Sequence, residues 1–225
     1  MTKKRISKKI ISCFMLCALM MSSIMGFAIN SNAADVDGNK SQRDNGTYIY
    51  YVGTQTSLEK AIRSARNGDC ITFTDNIVCS SSISVCKNIT IDFNYHSLTF
   101  TNETREGLRV LVRSNDSVTL KSGVIYGANN SDTAVYIWSG HLRLQNMSIF
   151  GGDKRGCGGY GNGIYVTEPS WAKIYMNNCY IQGGSGYTKS SEYSQSGKAI
   201  YTCGYIDVEI IREGMGYRAV DGICK

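Results

Sequence analysis

Leu142-Arg143-Leu144-Gln145-Asn146-Met147-Ser148-Ile149-Phe150-Gly151-Gly152 is the stretch on which the fold turns. Its first four residues alternate apolar and polar, the period of a half-buried strand. Asn146 stands at a corner, Ile149 resumes the apolar pattern, and glycines close the segment. The same phrase recurs along the chain. Ile89-Thr-Ile91-Asp-Phe93, Val118-Thr-Leu120-Lys121, Ile174-Tyr-Met176-Asn177 and Ile206-Asp-Val208-Glu209 align with Leu142–Gln145 position by position. Ile125-Tyr-Gly127 and Ile181-Gln-Gly183 align with Ile149–Gly151, at the same distance from the strand before them. Asn178 takes the corner position of Asn146, where stacked asparagines can hydrogen-bond from one repeat to the next. A third series, Val135-Tyr136-Ile137, Ile164-Tyr165-Val166, Ile200-Tyr201-Thr202 and then Val220-Asp221, follows after connections of varying length.

Three strands per repeat, kept in step through several repeats, predict an all-β solenoid: a parallel β-helix of three sheets, each coil burying its apolar side against the next. A β-sandwich of hairpins is the competing arrangement. It calls for Asn-Gly or Asp-Gly turns between neighbouring strands and leaves the three registers unexplained.

One helix precedes the repeats. Thr56 and Glu59 suit a capping box. Leu58, Ala61, Ile62 and Ala65 fall on one stripe, and Gly68 is placed to end the helix. The spacing predicts a helical cap over 56–68, coils over 69–225, and a polar lead-in over 34–55 with one Tyr-rich strand, Tyr48–Val52. Such a helix covers the open end of a strand stack, where unpaired edges invite aggregation.

Leu58-Glu59-Lys60-Ala61-Ile62, then Asn67-Gly68-Asp69-Cys70-Ile71-Thr72-Phe73 and Asn88-Ile89-Thr90-Ile91-Asp92-Phe93-Asn94, resemble the N-terminal cap and first coils of the pectate-lyase-like β-helix superfamily. Residues 142–152 are similar to its repeat, and the resemblance spans 56–225. It implies a right-handed helix and a bias toward carbohydrate, but no single activity, because lyases, glycosidases, esterases, adhesins and tailspikes share the scaffold. The chain is shorter than is usual for that group and stops just after a strand. Further coils or a partner chain are therefore expected at its C-terminal end.

The first 33 residues read as a secretory signal peptide: a basic stretch of Lys3, Lys4, Arg5, Lys8 and Lys9, an apolar run from Ile10 to Ile29, and small residues through Ala33. A transmembrane anchor is the other reading of that run. With the leader removed, the expected location is extracellular or at the cell surface, with no membrane contact. The formal charge of +6 includes those five cations, so the mature part carries about +1. That balance gives no support to a nucleic-acid partner. Of nine cysteines, Cys13 and Cys17 lie in the leader, leaving seven, an odd number. Cys179 and Cys203 read as small buried apolar residues in strands.

Alternation assigns faces. On the first series the outward rows are Thr90, Thr119, Arg143, Tyr175, Asp207 and Asp92, Lys121, Gln145, Asn177, Glu209. The superfamily resemblance implies a site on this face, with Lys121, Arg143, Asp207 and Glu209 as candidate catalytic residues of a polysaccharide lyase or glycosidase. No acid cluster supplies the six or more oxygens that calcium needs, and the two histidines, His96 and His141, lack zinc-ligand company. Neither a metal nor a cofactor is expected. On the third series Tyr136, Tyr165 and Tyr201 form an outward ladder. With Tyr175 they are candidate ligand-binding residues for a polysaccharide or cell-surface glycan, since aromatic faces suit sugar rings. A binding protein is the first functional expectation, an enzyme the second, and a structural or adhesive module the third. The Gly-rich segment 151–163 lacks the strand-to-helix setting of a phosphate loop and reads as a connector.

Overall fold

The computed structural model describes residues 40–101, 106–128, 133–152, 161–167, 172–184, 197–202, 209–212, 217–220 and 223–224. The leader expected over 1–33 lies outside them. Among the described residues no helix is long and apolar enough to cross a membrane.

The described residues are mostly β-strand with one helix, and the strands form three ladders. The first contains β2 (Tyr48–Val52), β3 (Cys70–Phe73), β6 (Thr90–Asp92), the first halves of β9 (Ser117–Tyr126) and β11 (His141–Phe150), then β13 (Lys173–Asn177) and β16 (Glu209–Arg212). The second contains β4 (Ile77–Cys79), β7 (Ser97–Phe100), the second halves of β9 and β11, β14 (Cys179–Gln182) and β17 (Tyr217–Val220). The third contains β5 (Ile83–Val85), β8 (Glu106–Leu111), β10 (Thr133–Ser139), β12 (Asn162–Val166), β15 (Ile200–Thr202) and β18 (Ile223–Cys224). Every neighbouring pair in these ladders is parallel. Parallel neighbours need a crossover between them. Here the strands of the other two ladders serve as that crossover, so each strand pairs with its counterpart one repeat away.

The sequence repeats therefore become columns. Ile71, Ile91, Leu120, Leu144 and Met176 stand in register on the first ladder. Ile77, Leu98, Ile125, Ile149 and Ile181 do so on the second, and Ile83, Leu108, Val135, Ile164 and Ile200 on the third. All are fully buried in one continuous core. Each such side chain contributes about 1.5–3 kcal/mol by leaving water.

The bend between the first and second ladders is made by residues in the left-handed backbone region: Ser122, Asn146 and Asn178, with φ of 57°, 53° and 51°. Asparagine tolerates that region because its short side chain can hydrogen-bond locally. Asn178 Nδ2 donates to Asn146 Oδ1 at 2.8 Å, so the expected asparagine contact between repeats is present.

Close backbone approach explains the glycines at the next corner. A Cβ on Gly152 would collide with the carbonyl of Ala128, and one on Gly161 with the carbonyl of Gly152. These ends of the Gly-rich segment are glycine because neighbouring repeats leave no room for a side chain.

The helix α1 (Gln55–Ser64) starts and stops earlier than the sequence suggests. Thr54, not Thr56, is the N-cap, and its box partner is Ser57 rather than Glu59. Glu59 is occupied elsewhere, accepting from Gln55 Nε2 at 2.8 Å. Gln55 also accepts from the Ser80 backbone, which ties the first turn to the end of β4. At the other end Gly68, at φ 91°, belongs to the turn into β3, and the helix has already ended at Ser64. Lys87 makes that early stop tolerable. Its ammonium donates to the carbonyls of Ile62, Arg63 and Ala65 at 3.0, 2.6 and 2.7 Å. These are the carbonyls a helix leaves without partners, at the negative end of its dipole. Leu58, Ala61 and Ile62 face the core as expected. A short strand, β1 (Lys40–Gln42), pairs antiparallel with β2 and covers its edge.

Lys87→Met keeps the apolar stem and removes the three hydrogen bonds. It should cost about 1–2 kcal/mol. Urea unfolding should show a lower midpoint at unchanged slope; an unchanged midpoint would mean the carbonyls are equally well served by water.

Candidate functional site

The outward rows of the first ladder form as expected through four strands. Thr90, Thr119, Arg143 and Tyr175 stand in one row, and Asp92, Lys121, Gln145 and Asn177 in the next. The side chains in them are engaged with each other. Lys121 Nζ lies 2.9 Å from Asp92 Oδ2. The Arg143 guanidinium sits 3.9 Å from the centroid of the Tyr175 ring, so one face of this candidate ligand-binding ring is covered. His141 meets the same ring edge-on at 6.2 Å, and its Nδ1 accepts from the Lys173 backbone at 3.1 Å.

The fifth strand departs from the sequence reading. Ile174 pairs with Ile210 and Tyr175 with Ile211, so the register lies four residues beyond the Ile206–Glu209 alignment. Glu209 is thereby opposite Lys173 and not in the row of Lys121 and Asn177; its side chain lies outside what is described. Asp207 lies outside the described residues altogether. A shift of four keeps every side chain on its own face, and Ile206 and Ile210 compete for the place beside Ile174. Lys121 and Arg143 thus stand on neighbouring strands in adjacent outward rows, and Glu209 does not continue the row of Lys121. Among the described residues no group of three or more His, Cys, Asp or Glu side chains is placed to hold a metal.

The third ladder carries the tyrosine column. Tyr136 stacks on Tyr165 with ring centroids 5.4 Å apart and planes inclined 17°, and Tyr165 on Tyr201 at 5.4 Å and 11°. Arg109 precedes Tyr136 in register and is paired with Glu106 at 3.0 Å. After Tyr201 the next rung is Cys224, where the sequence places Asp221, a residue outside those described; Val220, expected beside Ile200, belongs to the second ladder beside Gln182. Parallel stacking has a consequence for binding. Both faces of Tyr165 are covered by its neighbours, and Tyr136 is only 7% exposed. What such a column presents to solvent is edges and hydroxyl ends. The accessible ring is Trp138, two residues along β10, 53% exposed and 6.2 Å from Tyr136.

A second aromatic column escaped the sequence reading. Tyr126 and Phe150 stack on the outer face of the second ladder at 5.3 Å and 12°, and Tyr180 lies 5.6 Å from Phe150. Its signal was the middle residue of Ile125-Tyr126-Gly127 and Ile149-Phe150-Gly151, which the apolar residues on either side obscured.

Comparison with family models, with curated proteins and with solved structures finds no match for this chain.

Burial disfavours the thiolate at two cysteines. Burial, with the charge of Glu59 adding to it, pushes the Cys79 thiol up to about 12. Burial also pushes Cys179 upward, against weaker opposing hydrogen bonds to backbone groups of Met147, Asn177 and Asn146. Cys86, by contrast, is exposed. Since the thiolate is the reacting form, iodoacetamide at about pH 8 should modify Cys86 in the folded protein and leave Cys79 and Cys179 untouched. Peptide mapping reads this directly, and rapid modification of Cys79 would contradict its burial.

Proposed function

We propose that the chain is a secreted, right-handed parallel β-helix of the pectate-lyase-like type that binds a polysaccharide or cell-surface glycan through outward-facing strand residues. Support for the solenoid comes from three parallel ladders whose strands each pair one repeat away, together with the right-handed rule for parallel crossovers. Secretion rests on the order of basic, apolar and small residues at the N-terminus.

The observation that carries the glycan reading is the exposed indole of Trp138 beside the stacked column of Tyr136, Tyr165 and Tyr201. An indole face removes apolar area of a sugar ring from water, while phenol hydroxyls at the column edge exchange hydrogen bonds with sugar hydroxyls. In this reading the tyrosines contribute edges and the tryptophan contributes the ring face. Tyr175, covered on one face by Arg143, contributes little. A lyase or glycosidase on the first ladder draws less support, because Lys121 is paired with Asp92 and Glu209 is out of register with it. The close ring stacking favours a second reading of the tyrosines, as an axial staple of a structural module.

Glycan-array binding by the mature protein separates these readings. Trp138→Ala should weaken binding about tenfold, the worth of one stacked aromatic contact, with Tyr165→Phe and Tyr201→Phe weakening it less. Glycan binding unchanged in all three variants would remove this face from the binding reading. Absence of any glycan binding by the wild type would leave the structural module.

A further inference from the structure

We infer that a second ring-binding platform for a glycan, besides Trp138, lies on the second ladder, and that it takes an uncharged polysaccharide rather than an acidic one. This rests on the glycan reading above and names both a new surface and the ligand class.

The argument begins with what faces outward there. Register places Val78, Thr99, Tyr126, Phe150 and Gln182 in one row across five strands. Ser97, Val124, Ser148 and Tyr180 form the row beside it. No Asp, Glu, Lys or Arg occurs in either row of these five strands. The next strand brings Arg218 opposite Tyr180 by register, so the uncharged strip ends at β14. The first ladder is the opposite case: Asp92, Lys121, Arg143 and Lys173 all lie on its outward rows or ends. Two faces of one solenoid thus differ in charge, and a surface without fixed charges has nothing to offset the desolvation of a uronate carboxylate.

The strip is also apolar and accessible. Tyr126 is 43% exposed and Val78 59%, well above the buried tyrosine of the third ladder. Among the described residues Tyr126 has a stacking partner on one side, because Thr99 occupies the rung before it. The end of this aromatic stack is therefore open, unlike the middle of the tyrosine column. Polar groups lie at the far end: Tyr180 Oη donates to Gln182 Oε1 at 2.9 Å, a pair able to exchange hydrogen bonds with sugar hydroxyls. A terminal ring, a small hydroxyl residue beside it and an amide two strands on match the apolar faces and hydroxyl rims of a neutral glycan laid across the strands.

Titration of the mature protein with neutral and with uronate-containing oligosaccharides tests this. Neutral oligosaccharide should bind, uronates should bind more weakly, Tyr126→Ala should weaken neutral binding about tenfold, and Tyr126→Phe should retain it. In the unaltered protein, saturating neutral oligosaccharide should protect Tyr126 from iodination, a readout that needs no variant to fold. Neutral binding with Tyr126 unprotected and Tyr126→Ala unchanged would overturn the platform while leaving the glycan reading intact, as would loss through Trp138→Ala alone. Preference for uronates would overturn the ligand class. Absence of all glycan binding would remove the glycan reading and this inference with it.

Discussion

The structure depends on parallel hydrogen bonding between a strand and its counterpart one repeat away. Each backbone amide and carbonyl in a ladder needs a partner, and here the partner sits in the equivalent position of the next repeat. The inward positions are forced by this to repeat as apolar columns, since each contacts its own equivalents above and below. The outward positions inherit the same stacking but not the same chemistry. A residue type placed once outward becomes a ladder when repeated, as Tyr136, Tyr165 and Tyr201 do.

That constraint is why so much of the fold is legible in the chain. Leu142–Gln145 and Ile174–Asn177 align in sequence and pair in space because one apolar column has to be continued. Asn146 and Asn178 occupy a corner that requires a left-handed backbone and rewards a side chain able to reach the next repeat. Legibility fails where two choices satisfy the same column. Ile206 and Ile210 both fit beside Ile174, and alternation cannot separate registers that differ by an even number. The helix start failed for a related reason: Thr54 and Thr56 are each followed three residues later by a capping partner, and tertiary ties from Gln55 to Ser80 decide for the earlier one.

The candidate site was less legible than the fold, because facing outward does not specify what a side chain does there. Lys121 and Arg143 point out as expected, yet Asp92 and Tyr175 occupy them. The tyrosines stack so well that their faces serve one another. Rings at the ends of stacks or off the column, Tyr126 and Trp138, stay exposed. Exposed ring area is thus concentrated where a ladder is interrupted, while its uninterrupted stretches pack against themselves.

Cross-strand proton contacts test the parallel arrangement most directly. In a nuclear Overhauser spectrum of the folded protein, Leu144 should contact both Leu120 and Met176. Close Hα–Hα contacts between residues 118–121 and 142–145, the mark of antiparallel neighbours, should be absent. Finding those Hα–Hα contacts, or finding Leu144 without contact to Met176, would contradict the three parallel ladders from which the rest of the account is built.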